Sequence, residues 1–445
     1  MDPMGAPTET SFPSALTPRR STFGSLGVRN FRLMAASQLL SNTGWWMQIT
    51  AQSWLVLNLT GSPAAVGLTA ALAYLPSLML GMAGGMLADR YPKRWLVLAN
   101  YAGWASLTAL LAGLTLSHIV QAWMVQLIAA GLGTVTALCW PAQQAFVGEM
   151  VGPGQLRNAI SIMSSVVQLA GLVGPALGGL LISARGPGES FLIAAIGYTV
   201  PVVAVTQIRA RELLALPPGR PERGQLRAAL RYAASRPDVL WPITLVGLFA
   251  MFTGNLPVTL AVYANSVFGS GPGGYGLLSA TVAVGSVIGA LISARQHQTR
   301  LRTLVLYAAL LSVLFALSAA APQQLTFCAL MLGVGASGLL LQTSANSVVQ
   351  LAAPAAIRGR IMSLYAIAWF GGIAIGGPLL GYIDQYAVPQ AGMLLAGMLP
   401  GMATLLIAAR LTIHSRNSGG GAVTPPVAAF PAQSPGRGDL LRQPK

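Results

Sequence analysis

Long apolar stretches recur along the chain at intervals of about 25 to 35 residues, separated by short polar connections. A helix needs about 20 mostly apolar residues to cross a bilayer. The pattern predicts twelve spans, at 33–58, 64–87, 95–117, 120–146, 159–183 and 190–208, then 240–266, 274–294, 303–320, 325–350, 361–383 and 390–412. Residues 1–30 read as a polar N-terminal tail with no apolar signal-peptide core. The first span, from Leu33, is too long for such a core and reads as a retained span. Residues 209–238 read as an Arg-rich central loop, and 414–445, with the run Gly419-Gly420-Gly421, as a disordered tail.

Composition sharpens this picture. Of 445 residues, 54% are hydrophobic and 8% charged. A soluble domain carries about 25% charged residues. Too few charges remain to cover a soluble surface, so a soluble enzyme is excluded before any motif is read. The formal charge of +16 invites a nucleic-acid reading. The basic residues, however, sit at span ends rather than on one face. With a cytoplasmic N-terminus, the twelve spans place 25 of 26 Lys and Arg on the inner side and leave only Arg185 outside. That bias predicts a plasma-membrane protein, the inner membrane in a bacterium, with both termini cytoplasmic. Cys139 and Cys328 lie inside apolar runs and read as small buried residues, not as a metal site or disulfide framework.

The halves repeat. A shift of 203 residues overlays 141–183 on 344–386, so that Arg157 meets Arg360, Gly174-Pro175 meets Gly377-Pro378 and Gly178 meets Gly381. Two parallel six-span repeats joined by a long central loop are one transporter architecture.

Between spans 2 and 3 stand Gly85, Leu87, Asp89, Arg90, Lys93 and Arg94, with Pro92 where a second glycine is usual. This loop resembles the G-x-L-x-D-R-x-G-R-R signature of the major facilitator superfamily. Asn30-Phe31-Arg32, Gln38, Ser41, Trp46-Met47-Gln48, Trp54-Leu55-Val56, Thr60-Gly61-Ser62 and Leu75-Pro76 resemble the branch that contains the enterobactin exporter and drug exporters. The likeness runs over about 31–413. It implies an all-α fold of twelve transmembrane helices in two pseudo-symmetric six-helix halves, acting as a monomer by alternating access. It also implies that Asp89 docks on a helix of the other half with Arg90 and Arg94 as partners, a latch on the inner side. Gly171, Gly174, Pro175, Gly178 and Gly179 in span 5 resemble the antiporter motif of exporters. Small residues there also suit ordinary close helix packing.

Polar residues mark the candidate cargo site. Gln38, Ser41, Asn42, Trp45, Gln48 and Gln52 recur at helical spacing and fall in one arc of about 120° on span 1. Polar side chains in a span face the bundle interior or a water-filled cavity. Span 4 adds Gln143 and Gln144, and span 10 adds Gln342, Asn346 and Gln350. The resemblance implies that spans 1, 4, 7 and 10 line a central cavity, with Asn255 contributing from span 7. Any one of these amides can instead make an interhelical hydrogen bond. A lining of amides and aromatics without fixed charge suits a sizeable amphipathic or neutral molecule.

No charged residue lies well inside any span. Proton coupling requires a group that titrates as its surroundings change. Asp89, Glu149 and Asp384 are the peripheral candidates. Glu149, with Arg157 eight residues on as a possible partner, is preferred; a surface ion pair is the structural alternative. No phosphate-binding G-x-x-x-x-G-K-[ST] loop is present, so no nucleotide cofactor is expected. His118, His297 and His414 are scattered at span ends and in loops. Two alternatives to proton-driven export of a siderophore, drug or metabolite follow: a lysophospholipid or other lipid transporter, and a receptor that kept the fold and lost coupling.

Overall fold

The computed structural model describes residues 24–152, 155–214, 225–296, 301–354 and 357–417. Most of the proposed tails, the central-loop segment 215–224 and His297 lie outside this range. The described chain is helical almost throughout. The first half consists of α1 (Arg29–Thr60), α2 (Pro63–Arg90), α3 (Lys93–Leu116), α4 (Ala122–Val151), α5 (Leu156–Arg185) and α6 (Pro187–Gln207). A short helix, α7 (Gln225–Ser235), interrupts what reads as loop in the sequence. The second half holds α8 (Pro237–Thr253), α9 (Leu256–Val262), α10 (Gly271–Arg295), α11 (Leu301–Ala319), α12 (Gln324–Ala352), α13 (Arg358–Tyr386) and α14 (Pro389–Asn417). The last helix therefore continues into the start of the expected tail.

Among the described residues, eleven segments are long and apolar enough to cross a membrane. The twelfth span is α1, whose row of Gln, Ser and Asn lowers its hydropathy. Its surface is covered instead by α5 and α6. The seventh span runs over Pro237–Val267 and is broken once. Gly254 and Asn255 separate α8 from α9, because Pro257 has no N–H to continue the hydrogen-bond ladder. Asn255 repairs the gap: its amide donates to the carbonyls of Met251 at 2.8 Å and Ile373 at 3.0 Å.

The packing repeats as the sequence does. In the first half α1 packs on α5 and α6, α2 on α4, and α3 on α4 and α6. In the second half α8 packs on α13 and α14, α10 on α12, and α11 on α12 and α14. The halves meet through α2 against α13 and α5 against α10.

Arg90, Lys93, Arg94, Arg209, Arg295 and Arg358 gather at one end of the bundle, here termed the basic end, at the helix boundaries. The opposite, distal end carries the close contacts between halves. A Cβ on Gly67 would sit 2.1 Å from the Gly377 carbonyl oxygen, one on Gly381 2.5 Å from the Pro63 carbonyl, and one on Gly179 2.1 Å from the Gly276 Cα. Only glycine permits such approaches. Ser62 Oγ donates to Gln385 Oε1 at 2.6 Å, and the Ala64 amide donates to the same oxygen at 3.3 Å. Trp54 stacks on Tyr275 with centroids 5.8 Å apart. Toward the basic end the packing loosens. No residue of α5 is buried from 160 to 169, whereas Gly174, Pro175, Gly178, Gly179 and Ile182 are. The exposed positions 160, 161, 164, 165, 167 and 169 spread over more than half the helix circumference, more than a lipid-facing stripe needs. The structure is closed at the distal end and parted at the basic end.

Candidate functional site

The polar face of α1 divides in two. Gln48 is 3% exposed and lies inside the first half, where its Oε1 accepts from Thr108 Oγ1 and Tyr198 Oη, each at 3.0 Å. It ties α1 to α3 and α6. Gln143 is likewise buried: it accepts from Asn100 at 3.2 Å and donates to the Tyr101 hydroxyl at 2.7 Å. Asn255 serves the break in the seventh span. All three expected cargo contacts are therefore interhelical hydrogen bonds here. The reason is common to them: a buried amide in hydrocarbon must find a partner, and a nearby hydroxyl or freed carbonyl supplies one.

Gln38, Ser41 and Gln52 are buried too, at 9%, 2% and 9% exposure, whereas Asn42, Trp45, Gln144, Gln342 and Asn346 keep accessible surface. Asn42 is half-buried and donates to the Gln38 backbone carbonyl at 2.7 Å and to Gln38 Oε1 at 2.8 Å. Trp45, also half-buried, meets Trp46 edge-on with centroids 4.9 Å apart. Gln144 is exposed, and Gln342 and Asn346 are half-buried, with Asn346 Oδ1 accepting from Gln350. Sequence reasoning missed one aromatic element: Tyr74 of α2 stacks on Phe370 of α13, 6.0 Å apart and across the interface between halves. Its only sequence signal is an aromatic residue near the middle of each span.

The signature loop is undocked. Asp89 and Arg90 are exposed at the basic end, and Asp89 makes no ion pair with a described residue. Arg94 caps α6 instead, donating to the carbonyls of Val205 at 3.2 Å and Thr206 at 2.9 Å. A cation on the last carbonyls of a helix is favourable because those groups have no partner within it. Gly85 has open space around its missing Cβ. A latch between halves has no counterpart surface in a form parted at this end.

Glu149 pairs with Lys93. The Nζ–Oε1 distance is 2.6 Å, and the side chains are 20% and 13% exposed for lysine and glutamate. The pair joins the end of α4 to the start of α3, two adjacent helices, whereas the side chain of Arg157 lies outside the described residues. Asp384 differs from both other candidates. It is 5% exposed near the distal end of α13, and neither carboxyl oxygen has a hydrogen-bond partner.

The span-5 motif lies where helices approach most closely. Cβ atoms on Gly171 and Gly174 would meet Trp46 at 3.2 Å and 2.5 Å, and one on Gly178 would meet the Met47 Cα at 3.2 Å. These three glycines and the buried Pro175 seat α5 on α1, while Gly179 turns toward α10 in the other half. Among the described residues no cluster of His, Cys, Asp or Glu could hold a metal ion.

The sequence profile of the transmembrane secretion effectors, a branch of the major facilitator superfamily, matches residues 20–432. The chain belongs to this family. It shares 28% identity over 405 residues with an enterobactin exporter of Citrobacter koseri, covering 88% of this chain and 89% of that one. A counterpart in Escherichia coli O81 is also 28% identical, over 414 residues, covering 88% and 91%. Solved structures share the fold at low identity. A peptide-bound POT family transporter superposes with a TM-score of 0.68 at 13% identity, covering 88% of this chain and 99% of that one. A bacterial homologue of ferroportin does so with 0.64 at 14% identity, covering 86% and 99%. The chain is thus a multi-pass membrane transporter with the major facilitator fold, and not an enzyme.

Proposed function

We propose that this transporter is a secondary active exporter of an amphipathic, siderophore-like molecule, driven by proton antiport across the bacterial inner membrane. The observation that carries the reading is the full-length similarity to enterobactin exporters, on a scaffold whose accessible polar residues are amides and aromatics rather than charges. Asn42, Trp45, Gln144, Gln342 and Asn346, with Tyr74 and Phe370, would offer hydrogen bonds and stacking surface to a large cargo. The excess of Lys and Arg at the basic end supports a cytoplasmic location for that end and for both termini. A form parted there would load cargo from the cytoplasm. Separation of α2 from α13 and of α5 from α10 would then release it on the distal side, as the monomer's halves rock about the site. Asp89, with Arg90, would re-engage when the basic end closes, and the glycines of α5 would let that helix move on α1.

The test is proton movement in inverted membrane vesicles holding an imposed pH gradient. A catecholate siderophore should dissipate the gradient only when the protein is present, and Glu149→Gln should abolish the effect. No response to siderophores, macrolides or cationic dyes, with flipping of a labelled lysophospholipid, would move the assignment to lipid transport.

A further inference from the structure

The spans of the second half contain a single strongly ionisable group. From 239 to 294, from 303 to 357 and from 361 to 409 the sequence has no Lys, Arg, His or Glu, and one Asp, Asp384. That carboxyl is almost wholly buried two residues before the end of α13 and has no hydrogen-bond partner at either oxygen. Gly392 of α14 packs directly against it, since a Cβ there would lie 2.3 Å from Oδ1. Tyr263, in the π-helical turn Tyr263–Val267 after α9, lies within Coulombic reach, and its hydroxyl is also buried without a partner.

Among the described residues no cation balances this carboxyl. The elements packed on α13 are α2, α7, α8, α9, α12 and α14. Their charged groups among the described side chains, Asp89, Arg90, Arg231, Asp238 and Arg410, sit toward the basic end, as do the helix positions of Arg227, His414 and Arg416. Besides Tyr263, the titratable neighbours at the distal end are Cys328 on α12 and the exposed Tyr382 and Tyr386 on α13 itself. An ionised carboxylate buried without donor or counter-ion is far more costly than a protonated one. A hard metal cation would need about six oxygen ligands, and a carboxyl with one phenol falls well short. The proton is the occupant this site suits.

Its position gives the proton a consequence. Asp384 stands between Gly381, packed on the Pro63 carbonyl, and Gln385, which accepts from Ser62 and Ala64. Those residues form the distal seam between halves. We propose that Asp384 is a proton-binding site that controls this seam, its proton permitting the closed form and its loss favouring the form in which the distal end opens. In the closed form a charge would be stranded in the packing; opening admits water to it. Glu149, already compensated by Lys93, lacks this property. The inference rests on the alternation of the halves proposed above, but not on the cargo or its direction.

The test places spin labels at Gln121 and Gln323, exposed on the distal connections of the two halves. The full-length protein, with Cys139→Ala and Cys328→Ala, is held in lipid nanodiscs without cargo, and distances are read from acid to alkaline pH. The short-distance population should dominate at acid pH and give way to a longer one as pH rises. D384N should hold the short distance at every pH, while Asp238→Asn, at an exposed carboxyl of the basic end, should leave the response intact. An unchanged pH response in D384N, opening on acidification, or a response to sodium at fixed pH would overturn the proposal. If D384N does not fold, aspartate-isotope-edited infrared spectra of the unmutated protein decide. A protonated-carboxyl band that vanishes at alkaline pH supports the site, and its absence at acid pH refutes it. Vesicle proton assays with cargo are separate, so failure here leaves the export reading standing.

Discussion

Gly67→Ala tests the distal seam most simply. A single methyl at this position on α2 would lie 2.1 Å from the Gly377 carbonyl oxygen and 2.7 Å from its carbon, on α13 of the other half. Backbone on both sides leaves no flexible side chain to yield, so the helices must part. Inserting one carbon into close packing costs about 1–3 kcal/mol. Because the contact lies between halves, that cost falls on the closed conformation rather than on the fold of either half. A bias of this size changes the closed-to-open ratio by about 5- to 150-fold. Gly81→Ala, on the same helix with nothing within 4 Å of its missing Cβ, is the control. The label pair at Gln121 and Gln323 reads the population directly. The longer distance should gain weight in Gly67→Ala and stay as in the parent in Gly81→Ala, with thermal stability of both near the parent. Equal populations in all three proteins would refute the packing argument. A large loss of stability in Gly67→Ala would show that the contact holds the fold together and not merely one conformation.

Three further outcomes are expected. Gln48→Leu removes the common acceptor of Thr108 and Tyr198; it should lower thermal stability by about 1–2 kcal/mol, the range for polar contacts between membrane helices, with cargo affinity of the surviving folded protein unchanged. Lys93→Met and Glu149→Gln should each destabilise, and the double variant should cost less than the sum, because each single change strands the other member of a 2.6 Å pair; additive losses in a double-mutant cycle would show that the pair contributes nothing. Asp89→Asn should change stability by less than about 0.5 kcal/mol, as expected of an exposed group without a partner, while slowing transport if the residue docks in the other conformation.

Much of the architecture is legible in the sequence because a bilayer imposes a length and an apolarity on every span. Eleven of the twelve predicted spans coincide with single long helices, to within a few residues at most ends, and the seventh with the broken segment Pro237–Val267. The least apolar, α1, is recognisable because its polar residues keep helical spacing. The break in the seventh span has its signal in Gly254, Asn255 and Pro257, although periodicity alone reads through it. The site is less legible. Helical spacing assigns Gln48 and Gln143 to an inward face, but an inward face meets both neighbouring helices and open space. Only the positions of Thr108, Tyr198, Asn100 and Tyr101 decide between these. Lys93 and Glu149 are 56 residues apart, and nothing local marks them as partners. The isolation of Asp384 is written in the sequence as a long absence of charge, whereas its lack of any hydrogen-bond partner is a property of packing.

Transport itself remains the most direct test of the central claim. Inverted vesicles containing the protein, energised by respiration, would be offered a labelled, iron-free catecholate siderophore. The account predicts accumulation inside the vesicles, abolished by a protonophore and absent from vesicles lacking the protein. Accumulation only in right-side-out vesicles, or accumulation indifferent to the protonophore, would contradict proton-driven export.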